Sequence, residues 1–372
     1  MHKTMVHYCK KCLLPDSYLG IELDENGVCQ HCRTFKETNY KGTEQLLKDI
    51  QPALDRNTSK KYDCVVKFSG GRDSTYLLWY IVKELHLRPL AIFADDQYIP
   101  ELAIENMKTT CEILGVELRI MTHDYLKKCL PHHLKAWIKR PVVESLMFLN
   151  VGERIGYEMM PEQVAMEEGV FLIFSGRTPS QSSEVYKTNL MKIGHRGGKL
   201  NWFLGYLKQV LLNPSLAMNL FCLKVQWKEF NVTRWRDGLE KHKGLMTAKP
   251  FYEHIHWDEK EIERVLFEEV NWKMPKGTKN SSRWGCEADA LRQYLFYRIL
   301  GYNDTNVDLS YMIRDGLITR EAAADKLESS VNIPDDYIKY IVSKAGLDAD
   351  KFMAKLDKKY PKIHFEAKMV NE

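Results

Sequence analysis

The sequence has no run of about eighteen uncharged apolar residues, so no segment reads as a membrane-spanning helix. It has no G-x-x-x-x-G-K-[ST] pattern, which excludes a Walker A phosphate loop. No secretory leader is expected, because Met1-His2-Lys3-Thr4 runs straight toward cysteines; a cytoplasmic, reducing location follows as the expectation. No internal repeat is evident. Charge of one sign is also scarce: a net +4 over 372 residues is modest and spread along the chain. That balance suits a small anionic substrate and does not favour nucleic acid as a partner. An apolar share of 44% and a charged share of 28% are ordinary for a soluble globular chain with room for one large or two to three small domains.

What is present begins with cysteine. Cys9-x-x-Cys12 and Cys29-x-x-Cys32 are separated by sixteen residues, inside the spacing of a four-thiolate zinc site. Each pair supplies two sulfurs from one turn, and Pro15-Asp16 and Asp24-Glu25-Asn26-Gly27 supply turns between the pairs. One C-x-x-C alone would also suit a redox couple. Two at this spacing favour structural Zn²⁺, since four protein ligands leave no open position.

The chain is organised around Ser69-Gly70-Gly71-Arg72-Asp73-Ser74-Thr75. Before it, Cys64-Val65-Val66-Lys67-Phe68 is apolar, β-branched and too short for a helix; after it, Tyr76 to Leu85 has the apolar content of a buried helix. The stretch reads as strand, tight loop, helix. Two glycines let the backbone turn with φ > 0 and approach a ligand closely. The amides and the helix dipole then favour an anion, with hydroxyls from Ser69, Ser74 and Thr75. The plain alternative is a Gly-Gly turn. S-G-G-x-D-S here resembles the signature of the PP-loop ATP pyrophosphatases, the adenine nucleotide alpha-hydrolase group; many members carry Lys where this chain has Arg72. The resemblance implies ATP cleaved between its α- and β-phosphates.

Further apolar runs alternate with helical patterns. Pro89 to Ala94, Val116 to Met121 and Val170 to Phe174 read as strands; a helix follows Pro100, stops at Gly115, and another covers Met160 to Glu168. This rhythm predicts an α/β fold with a doubly wound parallel sheet, Rossmann-like. Ligands then sit beyond the carboxyl ends of the strands, where the loop 69–75, Asp95-Asp96, Thr122-His123-Asp124 and 175–181 converge. Asp95 and Asp96 read equally as a binding or metal pair and as a solvated turn. His123 reads as structural or solvated. Gly176, Arg177 and Thr178 read as a phosphate or substrate loop.

The domains expected are a Cys₄ zinc-binding segment at 1–40, the nucleotide-binding α/β domain at 41–185, an apolar and basic helical insertion at 186–250, and a helical C-terminal region at 251–372. The insertion interleaves Trp202, Phe203, Tyr206, Lys208, Phe221, Lys224, Trp227 and Lys228. It suits packing on the main domain first, then a substrate lid, a partner-docking face or a peripheral membrane contact. Thr319 reads as the N-cap of a helix beginning at Arg320.

Cys9-x-x-Cys12-Leu13-Leu14-Pro15-Asp16, the loop 69–75, and Ile313-Arg314-Asp315-Gly316-Leu317-Ile318-Thr319-Arg320-Glu321-Ala322-Ala323 together resemble the N-acetyl sugar amidotransferase family. The resemblance touches both ends and the centre of the chain. The chain departs from that family's pattern in lacking a cysteine pair at Pro141 to Glu144 and in its hydrophobic, basic 186–250 segment. The family implies an AMP- and pyrophosphate-forming conversion of an acetamido to an acetamidino group on an activated N-acetyl sugar, in bacterial surface polysaccharide (LPS O-antigen) biosynthesis. Ammonia would come from a glutaminase subunit. In these terms Gly70, Gly71, Ser74 and Thr75 bind pyrophosphate, and Asp73 orients the loop or a Mg²⁺ ion. Arg72 stabilises the transferred phosphoryl group. Phe68, Phe93 and Ala94 flank adenine, while Gly176, Arg177 and Thr178 close the α-phosphate side. Two other classes fit fewer features: a PP-loop enzyme that thiolates or amidates tRNA, and a non-enzymatic nucleotide-binding scaffold.

Overall fold

The computed structural model describes residues 7–150, 155–178, 204, 207–208, 211–247, 251–274 and 286–366. The basic turn at 195–199, the donor-rich loop at 275–283 and positions 179–181 lie outside them.

Five strands form one parallel sheet: β1 (Cys64–Lys67), β2 (Pro89–Asp95), β3 (Glu117–Thr122), β4 (Leu172–Ser175) and β5 (Met246–Thr247). Their spatial order is β3-β2-β1-β4-β5. The chain therefore reverses its winding between β1 and β4, the topological switch where such sheets open a crevice. Four of these strands follow from the apolar runs. The fifth comes from the stretch read as a purely helical insertion; two residues are too few to show a period.

Helices α1 (Gln30–Arg33), α2 (Gly42–Leu54), α3 (Arg72–Lys83), α4 (Glu101–Leu114), α5 (Asp124–Trp137) and α6 (Met160–Glu167) precede β4. Both faces of the sheet are covered at its centre, which is why β1, β2 and β4 are mostly apolar, while the edge strand β3 alternates with Glu117 and Arg119. On one face Cys64 and Val66 share a core with Leu77 and Leu78 of α3 and Met107 of α4. On the other, Val65, Ile92 and Ile173 meet Val164 and Ala165 of α6. Gly115 ends α4 at φ +65, a left-handed stop that costs glycine nothing.

Beyond β4 come α7 (Pro214–Met218), α8 (Leu220–Lys243), α9 (Glu259–Arg264), α10 (Glu287–Leu300), α11 (Asp304–Arg314), α12 (Arg320–Val331), α13 (Asp335–Lys344) and α14 (Ala349–Lys359). Thr319 caps α12, its hydroxyl accepting the Ala322 N–H at 3.2 Å. The two ends of the chain share one core: the four N-terminal cysteines and Tyr18 pack with Leu291, Leu295, Ile341 and Leu356. The Leu13 N–H donates to Ser310 Oγ at 3.0 Å, and Arg320 donates to the Cys9 carbonyl at 3.2 Å. Among the described residues no helix is long and apolar enough to cross a membrane.

His133, on α5, is fully buried. Its Nδ1 lies 2.8 Å from the Cys129 carbonyl and so carries the proton, while Nε2 has no partner. A second proton would put a charge among apolar groups, and burial pulls the imidazole down to about 4. The unfolded chain therefore binds more protons than the folded one between about pH 4 and 6.5, so this stability is present above 6.5 and drains away as pH falls. Urea unfolding at pH 7 and pH 4.5 should show a loss of roughly 2–3 kcal/mol that disappears in His133→Leu. An identical pH slope in the variant would refute the assignment.

Candidate active site

The glycine-rich loop sits where β1 ends. Gly70 takes φ +69, and an added Cβ there would lie 2.5 Å from Met107 Cγ. Gly71 then caps α3 with no side chain bonded across the first helical turn, which leaves amides of that turn as the donors an anion would meet. The loop's hydroxyls are partly spent on the loop itself. Ser69 Oγ and Ser74 Oγ are 3.0 Å apart, and Ser74 Oγ donates to the Gly71 carbonyl at 3.0 Å. Thr75 is fully buried and its hydroxyl has no partner. The cradle thus rests on backbone amides more than on the hydroxyls of Ser74 and Thr75.

Three aromatic side chains grip this turn, and sequence reasoning does not find them. Trp272 Nε1 donates to the Gly70 carbonyl at 3.0 Å; Tyr252 Oη donates to the Asp73 carbonyl at 2.9 Å; Trp257 Nε1 donates to Asp73 Oδ1 at 3.0 Å. Their rings also fill the core around α3. The one available signal was four aromatics, Phe251, Tyr252, Trp257 and Trp272, close together in a region otherwise read only as helical.

Arg72 is placed differently from its expected role. Its guanidinium bonds Asp73 at 3.1 Å and Glu259 at 2.9 Å and lies 4.8 Å from the Trp257 ring centre. It ties α3 to α9, with its charge matched by two carboxylates. A different cation lines the crevice. Lys67, the last residue of β1, is buried and bonds Glu162 of α6 at 2.7 Å. Glu162 Oε2 is buried with no partner. Burial pushes the ammonium down and the carboxyl up, and their mutual attraction opposes both shifts. Tyr157 stands between Lys67 and Arg177, whose charges lie 5.5 and 5.4 Å from its ring centre, and its hydroxyl is 3.1 Å from Ser175 Oγ.

Lys67, Phe68, Ser69, Phe93, Ala94 and Asp96 belong to the wall of a cleft open to solvent. Its far side is apolar, with Leu126 and Leu130 of α5, and Arg292 stands in the wall as well. Phe68, Phe93 and Ala94 therefore gather as expected. Asp95 does not line the cleft; its carboxylate accepts the Gln97 N–H at 2.7 Å, while the neighbouring Asp96 does line it. His123 is a helix cap, its Nδ1 accepting the Tyr125 N–H at 3.1 Å. Gly176 presses on the loop: an added Cβ would stand 2.9 Å from Ser74 Cα. Arg177 is exposed beside it and Thr178 is partly exposed. Cys129 and Cys286 also line the cleft; burial pushes Cys129 up to about 12 and Cys286 well above the usual thiol range.

The four N-terminal sulfurs lie within 4.8 Å of one another, and the Cys9–Cys32 and Cys12–Cys29 pairs are each 3.8 Å apart. A tetrahedron with metal–sulfur bonds of about 2.3 Å has edges of about 3.8 Å, so the set fits a four-thiolate metal such as zinc.

A parallel sheet with this order and an S-G-G-x-D-S loop at its switch point is consistent with the PP-loop ATP pyrophosphatase class. Residues 249–371 match the family described as LPS biosynthesis protein WbpG-like, C-terminal domain. The chain thus joins a loop and sheet of PP-loop type to a C-terminal stretch similar to that family. It is 29% identical over 109 residues to the uncharacterized protein MJ1599 of Methanocaldococcus jannaschii, a match covering 28% of this chain and 38% of that protein. Among solved structures it superposes loosely on the U34-tRNA thiolase NcsA from Methanococcus maripaludis with its [4Fe-4S] cluster. The TM-score is 0.33 at 17% identity, over 85% of this chain and 88% of that one.

Two outcomes follow from this geometry. Gly176→Ala drives a methyl group into the Ser74 backbone, and titration calorimetry should find ATP affinity reduced by about tenfold or more, since small misplacements are costly in a preorganised site. Unchanged affinity would remove Gly176 from the cradle. Elemental analysis of the purified protein should find about one zinc per chain; Cys12→Ser should lose it and lower Tm by about 5–10 °C. Iron with labile sulfide in place of zinc would contradict the zinc assignment.

Proposed function

We propose that the protein is an ATP-dependent, AMP- and pyrophosphate-forming amidotransferase. It converts the acetamido group of an activated N-acetyl sugar to an acetamidino group in bacterial surface polysaccharide (LPS) biosynthesis. The observation that carries the reading is the loop 69–75 at the β1/β4 switch, with its Ser69 in the wall of a cleft formed with Phe68 and the end of β2, in a chain whose C-terminal part matches an LPS-biosynthesis family.

The acetamido oxygen attacks the α-phosphorus of ATP, and the bond to the bridging oxygen breaks to release pyrophosphate. Ammonia then adds to the activated carbon, a proton is lost, and AMP leaves with the former acetamido oxygen. The sugar exchanges O for NH. Amides at the start of α3 receive the β- and γ-phosphates, and Phe68, Phe93 and Ala94 wall the adenine side. Lys67 and Arg177 supply the cationic field at the α-phosphate that Arg72, held by Asp73 and Glu259, does not. Asp73 keeps its Oδ1 on Trp257 and Arg72, leaving Oδ2 outside these bonds to meet Mg²⁺, which would neutralise charge on the phosphates. Ammonia from a glutaminase partner completes the balance. The thiols of Cys129, buried, and Cys286, partly exposed, are held in their protonated form and are poor sulfur nucleophiles, which favours nitrogen transfer over tRNA thiolation.

The test supplies α-labelled ATP, Mg²⁺, an ammonium salt and nucleotide-linked N-acetyl sugars. AMP and pyrophosphate should form only with a matching sugar, whose mass falls by about one unit as O becomes NH. Asp73→Ala should cost about 100-fold or more in rate and Lys67→Met about 10- to 100-fold, with the fold retained. ADP and phosphate as products would refute the reading. AMP formed only with tRNA would transfer it to the thiolation class, and nucleotide binding without turnover to a scaffold.

A further inference from the structure

The α7–α8 hairpin shows more apolar surface than its packing uses. Its inward side is committed: Leu216 and Cys222 share a cluster with Ala136 and Phe148, while Val225 and Val232 pack with Cys129 and Ile155. Phe221 stacks on His132 at 4.4 Å between ring centres. Its outward side carries a second apolar set. Leu211 is 71% exposed, Met218 82%, Leu220 81% and Trp227 69%. Along α8, Leu220, Lys224 and Trp227 recur at i, i+4 and i+7 and so lie on one stripe. Scattered apolar side chains on a surface need no explanation, but a concentration of this kind marks an interaction face.

Charge decides what kind. Between Glu184 and Glu229 the chain has no acidic residue and seven Lys or Arg, among them Lys208 and Lys224, both exposed next to the apolar set. Apolar complementarity alone would suit a second copy or a protein partner equally. A Lys-flanked face bearing Trp, Leu and Met, with the acidic residues of α8 beginning only at Glu229, has the chemistry of the boundary between headgroups and acyl chains. No described helix is apolar enough to span, so the hairpin would lie on the surface. We propose that the outer face of the α7–α8 hairpin docks the protein on an anionic bilayer. Because α8 packs on α5 and on the turn at 155–159, the cleft wall would be carried to the membrane with it. The proposal does not depend on the chemistry of the cleft.

Co-sedimentation of the full chain tests it, using phosphatidylethanolamine/phosphatidylglycerol (3:1) vesicles beside pure phosphatidylcholine. The anionic vesicles should retain the protein, more weakly as salt rises. Leu220→Glu with Trp227→Glu should lower partitioning by about tenfold or more, and Lys208→Ser with Lys224→Ser several-fold with a flatter salt dependence. Brominated lipid should quench part of the wild-type tryptophan emission, and Trp227→Phe should remove that part. Thermal melts of the lysine variant, which touches no core residue, guard against unfolding as the cause. Failure to sediment, retention equal in the Glu variant, or a dimer in light scattering that the Glu variant dissolves would each overturn the proposal.

Discussion

The indole N–H of Trp272 on the Gly70 carbonyl fixes the turn from which everything at the switch point is measured. Gly70 is in a left-handed conformation with no room for a side chain, and the loop's own hydroxyl bonds join only Ser69, Gly71 and Ser74, leaving the Gly70 carbonyl to Trp272. Tyr252 and Trp257 add two further donors at Asp73. A buried carbonyl left without its partner costs about 1–3 kcal/mol, so each bond locks local geometry well beyond its share of total stability. The clamp belongs to the stretch that matches the WbpG-like C-terminal domain, so that stretch holds the glycine-rich loop as well as packing beside it.

The same dependence explains the placement of cations. Arg72 stands in the motif itself, and a motif read alone assigns it to the phosphates. In the fold it is shared between Asp73 and Glu259 and stacked on Trp257, where it fastens the clamp to α3. Lys67 looks in sequence like a charged interruption of a buried strand. In the fold it is a cation in the cleft wall, kept there by Glu162 of α6, the helix that covers its own face of the sheet. A buried ion pair is weak evidence of stability, since both groups lose their water, and its position beside Ser69 gives it a functional reason to persist.

The elements legible in the sequence are those that local physics decides. Strand runs, the Gly115 stop, the Thr319 cap and the four-cysteine spacing each follow from neighbours a few residues apart. The convergence of Phe68, Phe93 and Ala94 was legible too, because a parallel doubly wound sheet brings strand ends together whatever its details. What was hidden depends on contacts across long separations. Trp272 reaches Gly70, Arg72 reaches Glu259, and the N-terminal cysteines share a core with α10 and α13. β5, two residues after a long helix, carries too little pattern to be seen.

The central claim is that the amides opening α3 hold the two terminal phosphates of ATP as a pyrophosphate. The most direct measurement is the structure of the protein bound to Mg²⁺ and an ATP analogue with a methylene bridge between its α- and β-phosphates. The account predicts the β- and γ-phosphates on the Gly70 to Ser74 backbone, adenine between Phe68 and Phe93, and the α-phosphate facing Lys67. Phosphates bound away from the loop, or a nucleotide with its γ-phosphate pointing into the cleft, would contradict it.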